Sequence, residues 1–233
     1  MCKVMNIDRN DLLCFLDASL LYVIDDNDVD LEPLFDKAID QNKDNYIAFI
    51  SELKNVRNIL KEDLQFFMDS DPAASSLDEI KLAYPGYKAI AIYRVSHILY
   101  KLGYKVHARF FSEIGHSMTG IDIHPAADID YPFFIDHGTG IVIGQTSTIG
   151  KNVKLYQCVT LGALSLSNAQ ELRGVVRHPQ VGNNVTIYAG ASLLGAITIG
   201  DNVTIGSNVF LTEDVPSNTR VVIGKPELII KSK

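Results

Sequence analysis

The chain has 233 residues, with 21 lysine and arginine residues against 28 aspartate and glutamate residues, and a formal net charge of −7. This acidic balance, with no long basic run, argues against nucleic acid or an anionic membrane surface as the main partner. No apolar run reaches the roughly 20 residues that cross a bilayer. The N-terminus also lacks the apolar segment of a secretory signal, so we expect a cytoplasmic protein.

The two halves of the chain have different patterns. Residues 1–120 contain four of the 16 glycines, which indicates a change of architecture near residue 120. In the first half, apolar residues from Leu31 to Met68 recur at three- and four-residue intervals, the period of an amphipathic helix. Ser76 followed by Glu79 predicts a capping box that opens a further helix. We therefore predict an α-helical domain over residues 1–120.

From Ile123 onward, aliphatic residues recur with a period of six, which neither a helix nor an alternating strand produces. The residues that head the hexapeptides are Ile123, Ile129, Ile135, Ile143, Ile149, Leu155, Leu161, Val181, Ile187, Leu193, Ile199, Ile205 and Leu211. The frame slips by two residues between Ile141 and Ile143, and by two more, modulo six, across residues 162–180. The pattern predicts a triangular solenoid of about four coils, each with three short strands and about 18 residues.

A polar segment, residues 163–180, interrupts the repeat, and a polar loop leaving a regular coil is a natural place for a site. Three of the six histidines, His124, His137 and His178, lie in the repeat half. One hypothesis is that they bind zinc, as in a metal-dependent hydrase. The other is that His137 is a general base, with Asp122 or Asp136 able to approach its ring. A purely structural repeat, with these residues in turns, remains a third possibility.

Seven motifs in this order resemble those of serine O-acetyltransferase. They are DPAA (71–74), YPGYKAIAIYRVSHILY (84–100), IDIHPAADID (121–130), FIDHGTGIVIG (134–144), LYQCVTLGA (155–163), RHPQVG (177–182) and VTIYAGASLLG (185–195). The resemblance implies an α+β chain in which the helical domain precedes a left-handed parallel β-helix of hexapeptide repeats. That second domain would cover residues 121–233, with residues 163–180 as a protruding loop.

The resemblance also implies an activity and its residues. The reaction is transfer of acetyl from acetyl-CoA to the L-serine hydroxyl, the first step of cysteine synthesis, with no metal required. The residues that match the family's site are the base His137 with its orienting partner Asp122, the serine-binding Asp71 and Asp136, and Arg177 and His178 near the serine carboxylate. Small residues at the family's CoA-groove positions are Gly162, Ala163, Ala189, Gly190 and Ser207.

Partners follow from the same resemblance. We expect a homotrimer, with a dimer of trimers as the alternative, and L-cysteine as a feedback inhibitor. The chain departs from the family at Gln145, where glutamate is common, and in the longer 163–180 loop. It also ends IGKPELIIKSK, without the terminal isoleucine that docks in the partner sulfhydrylase, so we do not expect that route of binding. The alternative activity is acetyl transfer to another amine or hydroxyl.

Overall fold

The computed structural model describes residues 8–164, 170 and 174–224, which form six helices followed by a parallel β-solenoid. The helices are α1 Arg9–Ile24, α2 Glu32–Ala38, α3 Lys43–Ser70, α4 Leu77–Ala83, α5 Pro85–Lys101 and α6 Lys105–Thr119. Within the described residues, no helix combines the length and the apolar character needed to span a membrane.

The helix boundaries follow local capping chemistry. The helical pattern between Leu31 and Met68 is divided into α2 and α3, because the side chain of Asn42 accepts hydrogen bonds from the first turn of α3. Ser76 caps α4 by accepting from the Glu79 backbone N–H at 3.1 Å, as predicted. The Glu79 carboxylate, however, accepts from the backbone N–H of Ser75 at 2.8 Å, so the box is displaced by one residue.

Fourteen short strands follow in the described residues. They are β1 Asp122–Ile123, β2 Asp128–Ile129, β3 Phe133–Ile135, β4 Val142–Ile143, β5 Thr148–Ile149, β6 Val153–Leu155, β7 Thr160–Gly162, β8 Gln180–Val181, β9 Thr186–Ile187, β10 Ser192–Leu194, β11 Thr198–Ile199, β12 Thr204–Ile205, β13 Phe210–Leu211 and β14 Arg220–Val221. They form three parallel sheets: sheet A (β1-β4-β7-β10-β13), sheet B (β2-β5-β8-β11) and sheet C (β3-β6-β9-β12-β14). Twelve of the thirteen predicted headings are buried, and Leu211 is partly exposed, which confirms the period-six prediction.

The pairing register explains both slips of the hexapeptide frame. In the regular coils, stacked residues such as Asn183 and Asp201 are 18 residues apart, the length of three hexapeptides. Asp122 pairs with Val142 instead, so the first coil is longer than this by two. The hydrogen bond between Thr148 and Gln180 spans 32 residues, so the third coil, which contains the polar segment, is longer by fourteen. The prediction of about four coils was low by one, because β14 closes a shorter last turn outside the hexapeptide frame.

A buried ion pair joins the helices to the solenoid. Asp63 of α3 accepts from Arg94 of α5 through both carboxylate oxygens, at 2.8 and 3.1 Å. Asp63 also accepts from the backbone N–H of Phe133 at 2.9 Å, and Arg94 donates to the carbonyl of Ile129 at 3.3 Å. Buried apolar residues form one continuous cluster through both halves. Within this contact, the hydrogen bonds of the ion pair to Phe133 and Ile129 fix how the helices lie on the first coil.

Replacing Asp63 with alanine leaves Arg94 charged and buried without its partner. We expect Asp63→Ala to lower the free energy of unfolding by about 3–5 kcal/mol, measured by urea denaturation. The control is Glu62→Ala, since Glu62 is the exposed neighbour on the same helix. A loss for Asp63→Ala no larger than that of the control would contradict the structural role of the pair.

Candidate active site

His137 lies in the extra length of the first coil. The N–H of Asp136 bonds to the Leu155 carbonyl at 2.9 Å, so up to this residue the first coil pairs with the second at the longer spacing, two residues more than a regular coil. The carbonyl of Thr139 accepts from the Cys158 N–H at 2.9 Å. From Thr139 into sheet A the two coils therefore pair at the regular spacing of 18 residues, as Val142 and Thr160 do. The extra length therefore lies between these points and forms a bulge at the corner between sheets C and A. His137 has φ 56° there, and its side chain is 70% exposed.

Glycine makes this bulge possible. Gly138 has φ 84°, and a Cβ added to it would lie 2.4 Å from Cδ1 of Ile121 in the first coil. The positive φ favours glycine at this position, and a Cβ there would force the end of the Ile121 side chain to move.

The nearest carboxylate partner of His137 is Asp136, with 3.5 Å between Nδ1 and Oδ1. Asp122 lies on sheet A, and its carboxylate is 3.8 Å from the guanidinium of Arg109. Among the described residues there is no hydrogen bond or ion pair between Asp122 and His137. The Gly140 N–H donates to the Gly120 carbonyl at 2.8 Å, so the segments that carry the two residues lie side by side. The pairing of Asp122 with the imidazole stays a prediction.

The helical half supplies Asp71, which ends α3. Its carboxylate accepts from the Ala73 N–H at 2.8 Å and from the Tyr84 hydroxyl at 2.7 Å. The hydrogen bond to Asp71 raises the pKa of Tyr84 to about 12, burial adds to this, and the negative charge of Asp136 also contributes. Asp71 and Asp136 therefore both affect the titration of Tyr84.

Gly86 explains how α5 comes so close to this region. A Cβ at Gly86 would lie 2.2 Å from the carbonyl oxygen of Ile135, the residue just before Asp136. The start of α5 therefore packs directly on β3. This contact places Tyr84, one residue before the helix, beside the carboxylates.

Arg177 and His178 end the long insertion and are held by the coil below. The Thr146 hydroxyl accepts from the backbone N–H of Arg177 at 3.0 Å and of His178 at 3.2 Å. The guanidinium of Arg177 donates to Oε1 of Gln145 at 2.6 Å. The departure at Gln145 thus places a neutral acceptor against Arg177 where the family often has a carboxylate.

The two partly enclosed histidines of this corner have a defined tautomer. Nδ1 of His178 accepts from the Thr146 N–H at 3.1 Å, and Nδ1 of His124 accepts from the Ala126 N–H at 3.0 Å. Each ring in its neutral form therefore carries its proton on Nε2. Burial is the main cause that lowers the pKa of both residues to about 4, with nearby arginines contributing. Both are neutral donors at physiological pH.

The predicted residues thus form two groups on different corners of the solenoid. Asp71, Asp136 and His137 lie at the corner between sheets C and A, whereas Arg177 and His178 lie between sheets A and B. About six residues of extended chain, or roughly 20 Å at about 3.3 Å per residue, separate the corners. One serine molecule cannot contact both groups of a single chain.

The predicted CoA residues are divided in the same way. Gly190 donates to the Gln157 carbonyl at 3.0 Å, and Asn208 donates to the Ala189 carbonyl at 2.9 Å. Ala189, Gly190 and Ser207 therefore continue the corner of His137 through the later coils, next to one another. Gly162 and Ala163 lie instead at the end of β7, at the corner of the long insertion.

The described residues contain no group of three histidine, cysteine, aspartate or glutamate side chains positioned to hold a metal ion. A cavity of about 770 Å³ lies elsewhere, between α3, α5 and sheet B, with none of the predicted site residues in its lining. The predicted residues lie on outer corners of the solenoid instead.

Comparison with known proteins supplies the family. Residues 178–213 match the family model of the bacterial transferase hexapeptide (six repeats). A serine acetyltransferase of Synechococcus elongatus is 49% identical over 175 residues, which cover 74% of this chain and 55% of that protein. The serine acetyltransferase of Helicobacter pylori is 41% identical over 174 residues, covering 75% of this chain and 98% of the relative.

The chain belongs to the serine acetyltransferase family, a family of acyltransferase enzymes. Solved structures agree. Serine acetyltransferase isoform 3 of Entamoeba histolytica, in complex with cysteine, matches with a TM-score of 0.81 and 37% identity over 96% of this chain and 84% of that one. The Neisseria gonorrhoeae enzyme in complex with serine has a TM-score of 0.72 and 31% identity, over 96% and 86% of the two chains. The Brucella abortus enzyme with coenzyme A has a TM-score of 0.71 and 29% identity, over 96% and 82%.

The sequence analysis missed two residues that support the candidate site. Tyr84 belongs to the YPG motif of the family resemblance, and that position could have marked it as a candidate site residue. Thr146, which holds Arg177 and His178, has no such signal, because it is far from them in sequence and meets them only through the coil stacking.

The shifted histidines give a pH prediction. Burial opposes the imidazolium form, so we expect His124 and His178 to stay neutral from pH 8 to pH 5 and to titrate near pH 4. NMR of ¹⁵N-histidine-labelled protein measures this, with His178→Gln assigning the signal of that ring. A titration midpoint above pH 6 for either imidazole would contradict the burial of that ring at the corner between sheets A and B.

Proposed function

We propose that the protein transfers the acetyl group of acetyl-CoA to the hydroxyl of L-serine, giving O-acetyl-L-serine and CoA. The observation that carries this proposal is the exposed imidazole of His137, held on a bulge beside Asp136. The close packing of Gly86 on Ile135 brings Tyr84, which binds Asp71, toward the same corner. Family membership agrees, since the Neisseria relative binds serine and the Brucella relative binds coenzyme A.

His137 acts as the general base. A serine hydroxyl is a weak nucleophile until its proton is removed, and a neutral imidazole within hydrogen-bond reach performs this step. The serine oxygen then attacks the thioester carbonyl, and the tetrahedral intermediate collapses with cleavage of the carbon–sulfur bond. The imidazolium returns its proton to the departing thiolate. A carboxylate beside the ring stabilises the imidazolium in between, and Asp136 and Asp122 are the two candidates.

The charged groups of the amino acid have separate partners. Asp71 and Asp136 receive the ammonium group, and Tyr84 fixes the orientation of the Asp71 carboxylate by its hydrogen bond. Arg177 binds the carboxylate with its planar guanidinium, and His178 donates from Nε2. An acceptor without these two charges would form neither ion pair, which favours serine over sugar hydroxyls.

The site is composite and forms between copies of the chain. The two groups of residues lie on corners roughly 20 Å apart in one chain, as estimated from about 3.3 Å per residue. Rotation about an axis parallel to the solenoid brings the His137 corner of one copy against the Arg177 corner of the next, with sheet A facing the axis. A homotrimer closes this arrangement and contains three identical sites.

Acetyl-CoA extends along the His137 corner. Ala189, Gly190 and Ser207 leave room there for the pantetheine arm, and Gly162 and Ala163 of the neighbouring copy's corner line its other side. L-cysteine has the same ammonium and carboxylate groups as serine, so it competes for the same pocket. The cysteine complex of the Entamoeba relative supports this inhibition.

Removing the imidazole tests the role of the base. We expect His137→Ala to lower kcat about 10²–10⁴-fold in serine-dependent release of thiol from acetyl-CoA, because proton transfer is lost. The control is His116→Ala, since His116 is an exposed histidine on α6 outside the site. Near-normal turnover of His137→Ala would remove this residue from the role, and thiol release that is independent of serine would contradict the proposed reaction.

Mixed assemblies test the composite site. His137→Ala and Arg177→Ala chains are each expected to be nearly inactive alone. When they are co-expressed in equal amounts, about one site in four receives an intact His137 corner and an intact Arg177 corner, so about a quarter of wild-type activity should return. Activity that stays at the level of the two single variants would place both residues of a site in one chain.

A further inference from the structure

We infer that Tyr156 is a further substrate-binding residue, whose phenol oxygen accepts a hydrogen bond from the ammonium group of the bound amino acid beside Asp136. This inference rests on the proposed function and adds a residue that neither the sequence motifs nor the family comparison assigned.

The coil register places Tyr156 next to the pocket. Ile135 pairs with Leu155, so Asp136 and Tyr156, the next residue on each strand, are neighbours in adjacent coils on the outer side of the same corner. Adjacent parallel strands lie about 4.8 Å apart, which brings the two side chains within reach of one small ligand. The N–H of Tyr156 in turn bonds to the Ile187 carbonyl at 3.1 Å and places Tyr188 on the next coil.

The ring of Tyr156 is fixed in orientation. It stacks on Tyr188 with 5.1 Å between ring centroids and 22° between the planes. On its other side it meets Phe134 edge to face at 6.4 Å and 76°, and Phe134 is itself buried under the helices. Because aromatic pairs favour these two geometries, the ring is held before any ligand arrives.

The surroundings of Tyr156 match an ammonium ligand. Burial raises the pKa of Tyr156, and the negative charge of Asp136 raises it further, with a smaller contribution from Asp71. Tyr156 therefore lies within electrostatic range of the carboxylates proposed to receive the ammonium group, and Asp136 is its neighbour in the coil stack. Among the described residues, its hydroxyl has no hydrogen-bond partner. An ammonium group has three N–H donors, and Asp71, Asp136 and Tyr156 together supply three acceptors.

The variant Tyr156→Phe removes only the oxygen and keeps the stacked ring. We expect it to raise KM for serine about 10-fold, which is the typical effect of losing one hydrogen bond to a charged group. The KM for acetyl-CoA should stay within about twofold, since the pantetheine groove is unchanged. Calorimetric titration with L-serine should show the same weakening in Kd. Tyr131→Phe is the matched control, because Tyr131 lies at the opposite corner between sheets B and C.

Two results would overturn the inference while leaving the proposed function intact. One is a serine KM and Kd for Tyr156→Phe within twofold of an active wild-type enzyme. The other is an equal rise in both KM values, which would indicate a structural role of the hydroxyl. If the wild-type protein releases no thiol in response to serine, the proposed function fails first and this inference falls with it. A serine-specific rise confined to Tyr156→Phe supports it.

Discussion

The structure depends on the inward stacking of one aliphatic side chain per strand, in register from coil to coil. Ile143, Leu161 and Leu193 show this in sheet A, where each is buried and each pairs with the next. Because the stacked residues cannot shift, a coil that carries extra residues must place them outside, at a corner. In the first coil the two extra residues therefore form a bulge at one corner, where His137 is exposed.

Predicted site residues lie in both coils that carry extra length. The short bulge of the first coil presents His137, and the long insertion of the third coil ends in Arg177 and His178, which Thr146 fastens to the coil below. The helical half completes the first corner. The pair Asp63–Arg94 and the close approach of Gly86 to β3 bring the end of α3, with Asp71, next to Asp136. Helices and coils thus act as one support for the same pocket.

The period of six was sufficient to predict the strands, the buried headings and the long insertion, because each follows from spacing alone. It also showed a two-residue slip between Ile141 and Ile143, but not that the extra residues lie between Asp136 and Thr139 and carry His137. The last turn escaped prediction, since its shorter register, in which Thr204 pairs with Arg220, leaves the hexapeptide frame. Helix α1 also showed no clear pattern: its buried residues include Ser19 together with Leu12, Phe15 and Tyr22. The contacts of Asp71 with Tyr84, and of Thr146 with His178, depend on three-dimensional stacking that spacing does not describe. The activity itself came from motif resemblance, since the spacing left His137 equally consistent with a turn residue.

The most direct measurement is a crystal structure of the protein with L-serine and CoA bound. We predict that the serine hydroxyl lies about 2.7–3.2 Å from the imidazole of His137. Its carboxylate should contact Arg177 of a second copy of the chain, where the Arg177 corner of that copy meets the His137 corner. A serine molecule bound entirely by residues of one chain, or bound away from His137, would contradict this arrangement.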